Sequence, residues 1–315
     1  MEFDLIARIR QRVATRDDVV LGIGDDAALL QPPPGMQLAV SMDTLNAGVH
    51  FPSATTPADI GWKALAVNLS DLAAMGAQPA WCTLSLSLSL PEADAGFVDG
   101  FLDGFLALSA QHGVALVGGD TTRGPLSVCV AVHGFVAAGA ALRRDGARSG
   151  DDVWVTGSLG DAAAALAAMT AGAVSDRAMR ARLDRPTPRI EAGRALAGIA
   201  HACIDVSDGL LADLGHVCSA SGVGARIELA ALPASPALAR FAAPVRWPWQ
   251  AGGGDDYELC FTAPQSAREA VLRVLATAST PVSRIGAITD GQGVIALDPE
   301  GQPWRGTRAG YAHFA

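Results

Sequence analysis

Positive charge is scarce in this chain, and nearly all of it comes from arginine. Among 315 residues there are 23 lysines and arginines against 32 aspartates and glutamates, a net charge of −9. Lys63 is the only lysine, so the chain cannot contain a GxxxxGK[ST] phosphate loop. Nucleic acid repels an acidic chain that lacks a basic surface. We therefore expect no nucleic-acid partner, and any nucleotide phosphates must be neutralised by arginine and divalent cations.

Long apolar runs and paired cysteines are absent as well. Although 50% of the residues are hydrophobic, no stretch of about 18 uninterrupted apolar residues occurs, so no membrane span is predicted. The first four residues lack the basic start and apolar core of a secretion signal, which favours a cytoplasmic location. The 5 cysteines lie far apart without a CxxC pair, which predicts buried, reduced thiols rather than disulfides or a zinc site.

The length and the patterning of the chain predict two domains. A chain of 315 residues exceeds most single hydrophobic cores. Apolar strands alternate with helices in the first half, and a cluster of glycine, arginine and aspartate follows between residues 138 and 152. Such polar, glycine-rich segments are typical of domain boundaries. We place the domains at residues 1–138 and 139–315.

A polar pair within an apolar helix is the most informative feature of the first domain. Residues 57–75 predict a helix that begins with a first-turn proline and stops at Gly76. Asn68 and Asp71 are three residues apart and therefore share a helix face. A carboxylate in such surroundings needs a cation or a hydrogen-bond donor. Asp71 either forms an ion pair with Lys63 or an arginine, or binds a metal ion.

Aspartates recur at or near the ends of several predicted apolar elements. They are Asp26, Asp43, Asp71, Asp120, Asp205 and Asp208. Taken singly, some suit ordinary structural roles, since Gly24 to Asp26 is a typical turn and Ser207 or Asp208 suits a helix N-cap. Crowded together, they would repel each other unless divalent cations joined them. Magnesium fits best, because it takes hard oxygen ligands and often shares them with substrate phosphates. The set predicts phosphoryl transfer.

Leucine and serine alternate strictly from Leu84 to Leu90, which predicts a strand. The serine face of this strand is either exposed to solvent or lines a small barrel or an oligomer seam. Further along, residues 252–254 are all glycine. This run allows close approach of a ligand to the backbone, although many glycine runs are plain loops.

Motifs in a fixed order cover nearly the whole chain. They are Gly22-Ile-Gly-Asp-Asp-Ala-Ala28, Asp43-Thr44, Val67-Asn-Leu-Ser-Asp-Leu-Ala-Ala-Met-Gly-Ala77, Gly118-Gly-Asp-Thr-Thr-Arg-Gly124, Ile204-Asp-Val-Ser-Asp-Gly-Leu210 and Gly253-Gly-Asp-Asp-Tyr-Glu-Leu-Cys260. As a set, they resemble the thiamine-monophosphate kinases.

The resemblance implies an α/β and α+β fold of the aminoimidazole ribonucleotide synthetase-like type. The N-terminal α/β domain would bind ATP and magnesium and form a β-barrel across a homodimer. The C-terminal α+β domain would complete the active site. The implied reaction converts ATP and thiamine monophosphate to ADP and thiamine diphosphate by direct in-line transfer with several magnesium ions. Positioning and charge neutralisation would suffice, without a catalytic base or a phospho-enzyme.

The resemblance also implies roles for individual residues. The implied magnesium ligands are Asp26, Ser41, Met42, Asp43, Asp71, Asp120, Asp205 and Asp208. Met42 stands where threonine is common, so it would contribute its backbone only. The implied ATP contacts are Gly119, Asp120, Arg144 and Ser207, and the implied contacts to the thiamine substrate are His50, Asp255 and Tyr311. Asp255 stands where glutamate is common, which shortens that contact by a methylene.

The less distinctive residues also suit purely structural roles, and the motifs also suit other activities. His50 suits a surface loop, Tyr311 a packed C-terminal aromatic and Arg144 a solvated linker. Aminoimidazole ribonucleotide synthetase is the main alternative enzyme, and a nucleotide-binding scaffold without turnover is the non-enzymatic one. A selenophosphate synthetase would need a reactive cysteine in a glycine-rich N-terminal segment, but the first cysteine is Cys82 in a predicted strand. A hydrogenase maturation factor would need a C-terminal cysteine, and the last residue is Ala315.

Overall fold

The computed structural model describes residues 2–89, 93–306 and 310, with side chains from residue 6 onward. It divides into two compact units, one of Met1–Leu72 and Ala77–Gly139 and one of Ala73–Gly76 and Ala140–Ala315. Tyr311, an expected substrate contact, lies outside the described residues. In the described part of the chain, every helix is too short or too polar to cross a membrane.

The first unit combines helices with a mixed sheet. Its helices are α1 (Glu2–Arg12), α2 (Pro57–Ala74) and α3 (Ala95–His112). Its strands are β1 (Val19–Leu21), β2 (Leu29–Leu30), β3 (Met36–Asn46), β4 (Gln78–Leu88), β5 (Ala115–Arg123) and β6 (Ser127–Ala137). Strands β1 and β2 form an antiparallel pair. The other four form a sheet in the order β3-β6-β4-β5, in which only β4 and β5 are parallel.

Glycines set the distance between α2 and α3. A Cβ atom on Gly61 of α2 would lie 2.0 Å from the carbonyl oxygen of Phe101, and one on Gly104 of α3 would lie 1.7 Å from that of Ala58. No side chain fits in either place, so the two backbones touch directly. The predicted end of α2 is confirmed, because Gly76 adopts a φ of 67° just beyond it.

The four-stranded sheet has one buried face and one partly open face. Leu84, Leu86 and Leu88 of β4 are buried, whereas the alternating serines are partly exposed. On the edge strand β3, Val40 is 58% and Met42 65% exposed. The sheet is open at β3 and β5, so the described residues of one chain form no closed barrel. A barrel shared by two chains therefore stays a prediction.

Two aspartates expected just after strands lie inside them. Asp43 pairs with Val130 within the β3–β6 ladder, and Asp120 pairs with Ser85 within the β4–β5 ladder. The apolar runs of residues 38–42 and 114–117 predict strands that stop before these aspartates, and this is wrong, because β3 continues to Asn46 and β5 to Arg123. Apolar runs mark only the buried part of a strand, whereas backbone pairing continues into polar sequence.

The second unit is a six-stranded sheet with helices. Its strands are β7 (Asp152–Thr156), β8 (Ala202–Asp205), β9 (Gly224–Glu228), β10 (Leu259–Ala263), β11 (Val282–Thr289) and β12 (Gly293–Leu297), in the order β12-β9-β11-β7-β10-β8. Its helices are α4 (Asp161–Thr170), α5 (Arg177–Asp184), α6 (Ile190–Leu196), α7 (Leu210–Ser221), α8 (Ala243–Gly252) and α9 (Arg268–Thr277). Only β12 and β9 run parallel. Strand β8 is buried at all its positions and leads directly into the motif of residues 204–210. The motif of residues 253–260 leads into the neighbouring strand β10.

Candidate functional site

The polar face of α2 lies against strand β3. The hydroxyl of Ser41 donates a hydrogen bond to the carboxylate of Asp71. The amide nitrogen of Asp43 donates to Oδ1 of Asn68 at 2.9 Å, while Nδ2 of Asn68 donates to the Ala64 carbonyl at 2.9 Å. Ser41 and Asp43 are two residues apart on a strand and therefore share a face. The structure thus brings three of the predicted ligand residues, Ser41, Asp43 and Asp71, to one surface of the first unit.

His50 lies in the turn that follows β3. Its Nδ1 atom accepts a hydrogen bond from the Asn46 amide at 3.0 Å, so the neutral ring carries its proton on Nε2. The Nζ atom of Lys63 donates to the His50 carbonyl at 3.1 Å, and Lys63 is only 1% exposed. The one lysine of the chain therefore helps to hold the histidine turn in place.

Asp26 and Asp120 are both exposed in the first unit. The Asp26 amide donates to Oδ1 of Asp25 at 2.8 Å, which forms the turn expected for this motif. Gly119, next to Asp120, has a φ of 149°, and a Cβ there would lie 1.8 Å from the Leu84 carbonyl oxygen. Glycine is therefore required beside Asp120. A cavity of about 90 Å³ next to this strand is lined by apolar side chains such as Ile23 and, on its polar side, by Asp120 and Thr121.

Strand β8 and its link to α7 carry three predicted site residues of the second unit. Asp205 ends β8 and is 4% exposed, whereas Ser207 and Asp208 in the link are partly exposed. The alternative in which Ser207 or Asp208 caps α7 is wrong, because the N-cap residue is Gly209 and no side chain caps it. The side chains of Ser207 and Asp208 therefore do not cap the helix.

Asp213, in the first turn of α7, replaces the missing cap. Its Oδ2 atom accepts hydrogen bonds from the amides of Ser207 at 3.1 Å, Asp208 at 3.1 Å and Gly209 at 3.0 Å. Burial raises the pKa of Asp213 to about 7, although the amide donors act in the opposite direction. Asp213 was not among the predicted site residues, since an aspartate on an amphipathic helix gives no separate signal.

The glycine-rich segment before β10 packs onto the same link. A Cβ on Gly254 would lie 2.3 Å from the Ser207 carbonyl oxygen, so glycine allows close approach to the backbone of the link. The close approach of a ligand suggested by the sequence stays a prediction. The Asp255 amide donates to the Ser207 carbonyl oxygen at 2.8 Å. Asp255 and Tyr257 have φ values of 66° and 50°. Non-glycine residues in this region are strained by about 1–3 kcal/mol each and concentrate at functional sites.

A buried ionic cluster holds this strained segment. Glu258 is fully buried and binds Nε and one terminal nitrogen of Arg189, both at 2.6 Å, as well as Arg182 at 2.7 Å. The Asp256 carboxylate accepts from the Gly160 amide at 2.9 and 3.0 Å, and burial raises its pKa well above the ordinary value. The cluster was not predicted from the sequence, because its two arginines lie 76 and 69 positions from Glu258.

Arg144 lies along the outer edge of β8. The Cys203 amide donates to the carbonyl of the adjacent Arg143 at 2.9 Å, and the hydroxyl of Ser221 donates to the Arg144 carbonyl at 2.9 Å. Burial raises the pKa of Cys203, and the positive charge of Arg144 partly opposes this. The side chain of Arg144 is exposed, but its backbone is held beside the strand that ends in Asp205.

The donor chemistry of both units suits magnesium held jointly with phosphates. In the described ranges, no group of three or more histidine, cysteine or acidic side chains forms a metal site by itself. The candidates are carboxylate and hydroxyl oxygens, which are hard ligands. Magnesium commonly uses one or two carboxylates and completes its shell with water and substrate phosphates. The residues present therefore fit this ion when phosphates supply the remaining ligands.

Comparison with known proteins identifies the family. Residues 24–136 match the N-terminal domain of AIR synthase related proteins, and residues 148–298 match the C-terminal domain. The thiamine-monophosphate kinase of Escherichia coli (strain K12) is 48% identical over 100% of this chain and 98% of its own length. The chain belongs to the thiamine-monophosphate kinase family. The thiamine-monophosphate kinase of Bacillus subtilis (strain 168) is 34% identical over 99% of this chain and 99% of its own length.

Solved structures of this kinase family share the fold. The Stenotrophomonas maltophilia thiamine-monophosphate kinase is 54% identical, with a TM-score of 0.89 over 96% of this chain and 98% of its own. AaThiL, solved in complex with AMPPCP and TMP, is 30% identical, with a TM-score of 0.79 over 99% of this chain and 96% of its own. The predicted family and its two-domain fold are thus confirmed. Hydrogenase maturation protein HypE, at 19% identity, shows the fold alone.

Proposed function

We propose that this protein transfers the γ-phosphoryl group of ATP to thiamine monophosphate, which yields ADP and thiamine diphosphate. The observation that carries the proposal is the full-length relationship to thiamine-monophosphate kinases, at 48% identity over 100% of the chain. AaThiL, which is 30% identical, binds AMPPCP and TMP. The acidic surface between β3 and α2 supports the same reaction, because ATP and a phosphorylated acceptor both bring negative charge that cations must offset.

In the first unit, the proposed magnesium ligands are the side chains of Asp26, Ser41, Asp43, Asp71 and Asp120, with the backbone of Met42. When bound, magnesium neutralises phosphate charge and orients the phosphate oxygens. Ser41 and Asp71 are already joined by a hydrogen bond, so their oxygen atoms are held together before any ligand arrives. Gly119 exposes the backbone beside Asp120, which suits its proposed contact with ATP.

In the second unit, we propose that Asp205 and Asp208 bind magnesium and that Ser207 and Arg144 contact ATP. His50 from the first unit and Asp255 from the second contact the thiamine substrate in this proposal. The acceptor phosphate oxygen is itself the nucleophile, so the transfer proceeds directly and in line. Positioning and charge neutralisation supply the catalysis, because orienting the two reactants and stabilising the charge that develops in the transition state both lower the barrier.

A product assay separates the proposed activity from the alternatives. Incubation with Mg-ATP and thiamine monophosphate should give ADP and thiamine diphosphate in equal amounts. Release of free phosphate in place of the diphosphate would favour a synthetase, and Mg-ATP binding without turnover would favour a scaffold. ATP with a chiral γ-phosphorus should react with inversion if the transfer is in line. Activity that does not depend on free magnesium would overturn the metal assignment.

The role of Asp71 has its own test. Asp71→Asn should remove activity and leave the circular dichroism spectrum intact, because the amide keeps the shape of the side chain but loses the charge that binds magnesium. Asp17→Asn, at an exposed position, is the matched control and should retain full activity. Full activity in Asp71→Asn would contradict the metal role, and loss of the folded spectrum would show that Asp71 is structural.

We further propose that the open face of the four-stranded sheet pairs with a second copy of the chain. Val40 and Met42 are 58% and 65% exposed on β3, and an apolar sheet face of this kind marks an interface. Across the sheet, Met42 pairs with Ala131 and Ser85 pairs with Cys129, so small side chains continue the face. Sedimentation velocity should show a dimer, and Val40→Lys should shift it towards monomer. A wild-type monomer at micromolar concentration would refute this interface.

A cytoplasmic location, where ATP is available, stays a prediction.

A further inference from the structure

The link between β8 and α7 has an unusual hydrogen-bonding arrangement. A helix N-terminus leaves amide groups without partners inside the helix, and an N-cap side chain normally accepts from one of them. Here a single oxygen of Asp213 accepts from three consecutive amides, those of Ser207, Asp208 and Gly209, at 3.0–3.1 Å. Asp213 is 3% exposed. The inner side of the link is therefore fixed by one buried carboxylate.

The outer side of the link is fixed by the glycine-rich segment. The Ser207 carbonyl accepts from the Asp255 amide at 2.8 Å, and the amide and carbonyl of Val206 bond to the Glu258 carbonyl and the Tyr257 amide, both at 2.8 Å. The backbone is thus held from two directions. The side chains of Ser207 and Asp208 take no part in the cap and remain partly exposed.

We propose that Asp213 is a positioning residue for phosphoryl transfer. Its carboxylate gathers the amides of the link and thereby aims the side chains of Ser207 and Asp208 at the ATP phosphates. This inference rests on the proposed function, which assigns those two side chains to ATP and magnesium. Asp213 itself is buried behind the link and acts only through it. Misplacement of a reacting or binding group by about 1 Å can cost roughly 100-fold in rate.

The test compares Asp213→Ala with Asp213→Asn in the full chain. The alanine variant leaves all three amides without their acceptor, so kcat/KM for ATP should fall about 100-fold, with a higher KM for ATP and a higher magnesium requirement. The KM for thiamine monophosphate should change less than about threefold. A fold that is merely less stable would not affect the KM for ATP so much more than the KM for thiamine monophosphate. Asparagine keeps one oxygen in the same place and should recover most of the loss, to within about tenfold of wild type.

Asp151→Asn is the matched control. Asp151 is also 3% exposed, and it also accepts from a backbone amide, that of Arg148, as well as from His201. Its bonds do not involve the link. This variant should lower the melting temperature and leave both KM values unchanged.

Each outcome decides the inference. The inference is overturned, and a structural role is shown, by any of three results. These are an equal loss of kcat/KM for both substrates, an unchanged KM for ATP in Asp213→Ala, and failure of both Asp213 variants to fold. Where the alanine variant alone fails to fold, the asparagine variant is decisive. A KM for ATP and a magnesium requirement above those of Asp151→Asn, with an unchanged KM for thiamine monophosphate, support positioning, and values equal to those of Asp151→Asn overturn it. Wild-type protein without phosphorylation of thiamine monophosphate would refute the proposed function instead, and the inference with it.

Discussion

The crossing of α2 and α3 makes a sharp prediction about Gly104. Alanine at this position would place its Cβ atom 1.7 Å from the Ala58 carbonyl oxygen and 2.6 Å from the carbonyl carbon. Cβ atoms essentially never approach closer than 3.0 Å. The obstacle is helix backbone, which has no alternative rotamer, so α2 must move away from α3 by more than 1 Å. Since α2 carries Asn68 and Asp71, the movement reaches the candidate site.

The magnitude follows from two opposing contributions. Replacement of a helical glycine by alanine gains about 1 kcal/mol in helix propensity. Overpacking in a close-packed interior costs about 1–3 kcal/mol, and Gly104 belongs at the upper end of this range because the obstacle is helix backbone. The fully buried Phe101 and Phe105 lie at this crossing and lose contacts when the helices separate. We expect Gly104→Ala to destabilise the protein by a net amount of about 2 kcal/mol and to lower kcat/KM.

Gly215 in α7 is the matched control for this prediction. A Cβ at Gly215 would meet no atom within 4 Å, so alanine there should stabilise the protein by up to about 1 kcal/mol through helix propensity alone. Urea unfolding and melting temperatures measure both variants, and a kinase assay measures the effect on the site. Opposite signs for the two glycines support the reasoning. A Gly104→Ala protein as stable and as active as Gly215→Ala would refute it.

Three further predictions concern buried groups. Burial raises the pKa of Asp256, so the stability that this carboxyl contributes is complete below about pH 4 and is lost as the pH rises through the raised pKa. Asp256→Asn should therefore lose less stability than wild type as the pH rises, whereas the exposed Asp290→Asn should follow wild type. Melting curves from pH 5 to 9 test this, and a pH dependence of Asp256→Asn parallel to that of wild type would contradict it. Glu258→Gln should destabilise by about 3–5 kcal/mol in urea unfolding, because the arginines bound to it would keep buried charges without a counter-ion; a change below 1 kcal/mol would disprove this. Lys63→Met should raise the KM for thiamine monophosphate more than it lowers kcat, because it frees the histidine turn, and equal effects on both constants would argue against that role.

Local patterning was enough to predict much of the fold. The helix over 57–75, its stop at Gly76 and the alternating strand from Leu84 all follow from periodicity and glycine chemistry, which depend on neighbours in sequence. The lengths of β3 and β5 could not be predicted in this way. Their polar ends at Asp43 and Asp120 stay in the sheet because partner strands, distant in sequence, continue to pair with them.

The sequence was enough to single out the aspartates proposed as ligands, but not the residues that hold the backbone behind them. Aspartates in apolar surroundings are conspicuous, because burial of a carboxylate is costly and demands a compensating partner. Arg189 and Glu258 are separated by 69 positions yet form a buried ion pair, and nothing in either local sequence indicates the other. Asp213 has the ordinary appearance of a helix residue, and only the three amides that converge on it reveal its part.

The motifs that contain Asp43 and Asp208 hold their backbone amides in the same way. A carboxylate offered to a ligand is useful only if its own backbone is held, and the backbone amide next to it must find an acceptor. In the first unit the Asp43 amide, on an edge strand, is taken by Asn68, and in the second the Asp208 amide is taken by Asp213. In each case a buried helix residue supplies the acceptor, so the aspartate side chain is not needed to accept from its own backbone amide. The polar residues of the motifs thus divide into those that we propose as phosphate and magnesium contacts and those, Asn68 and Asp213, that hold the backbone of the first group in place.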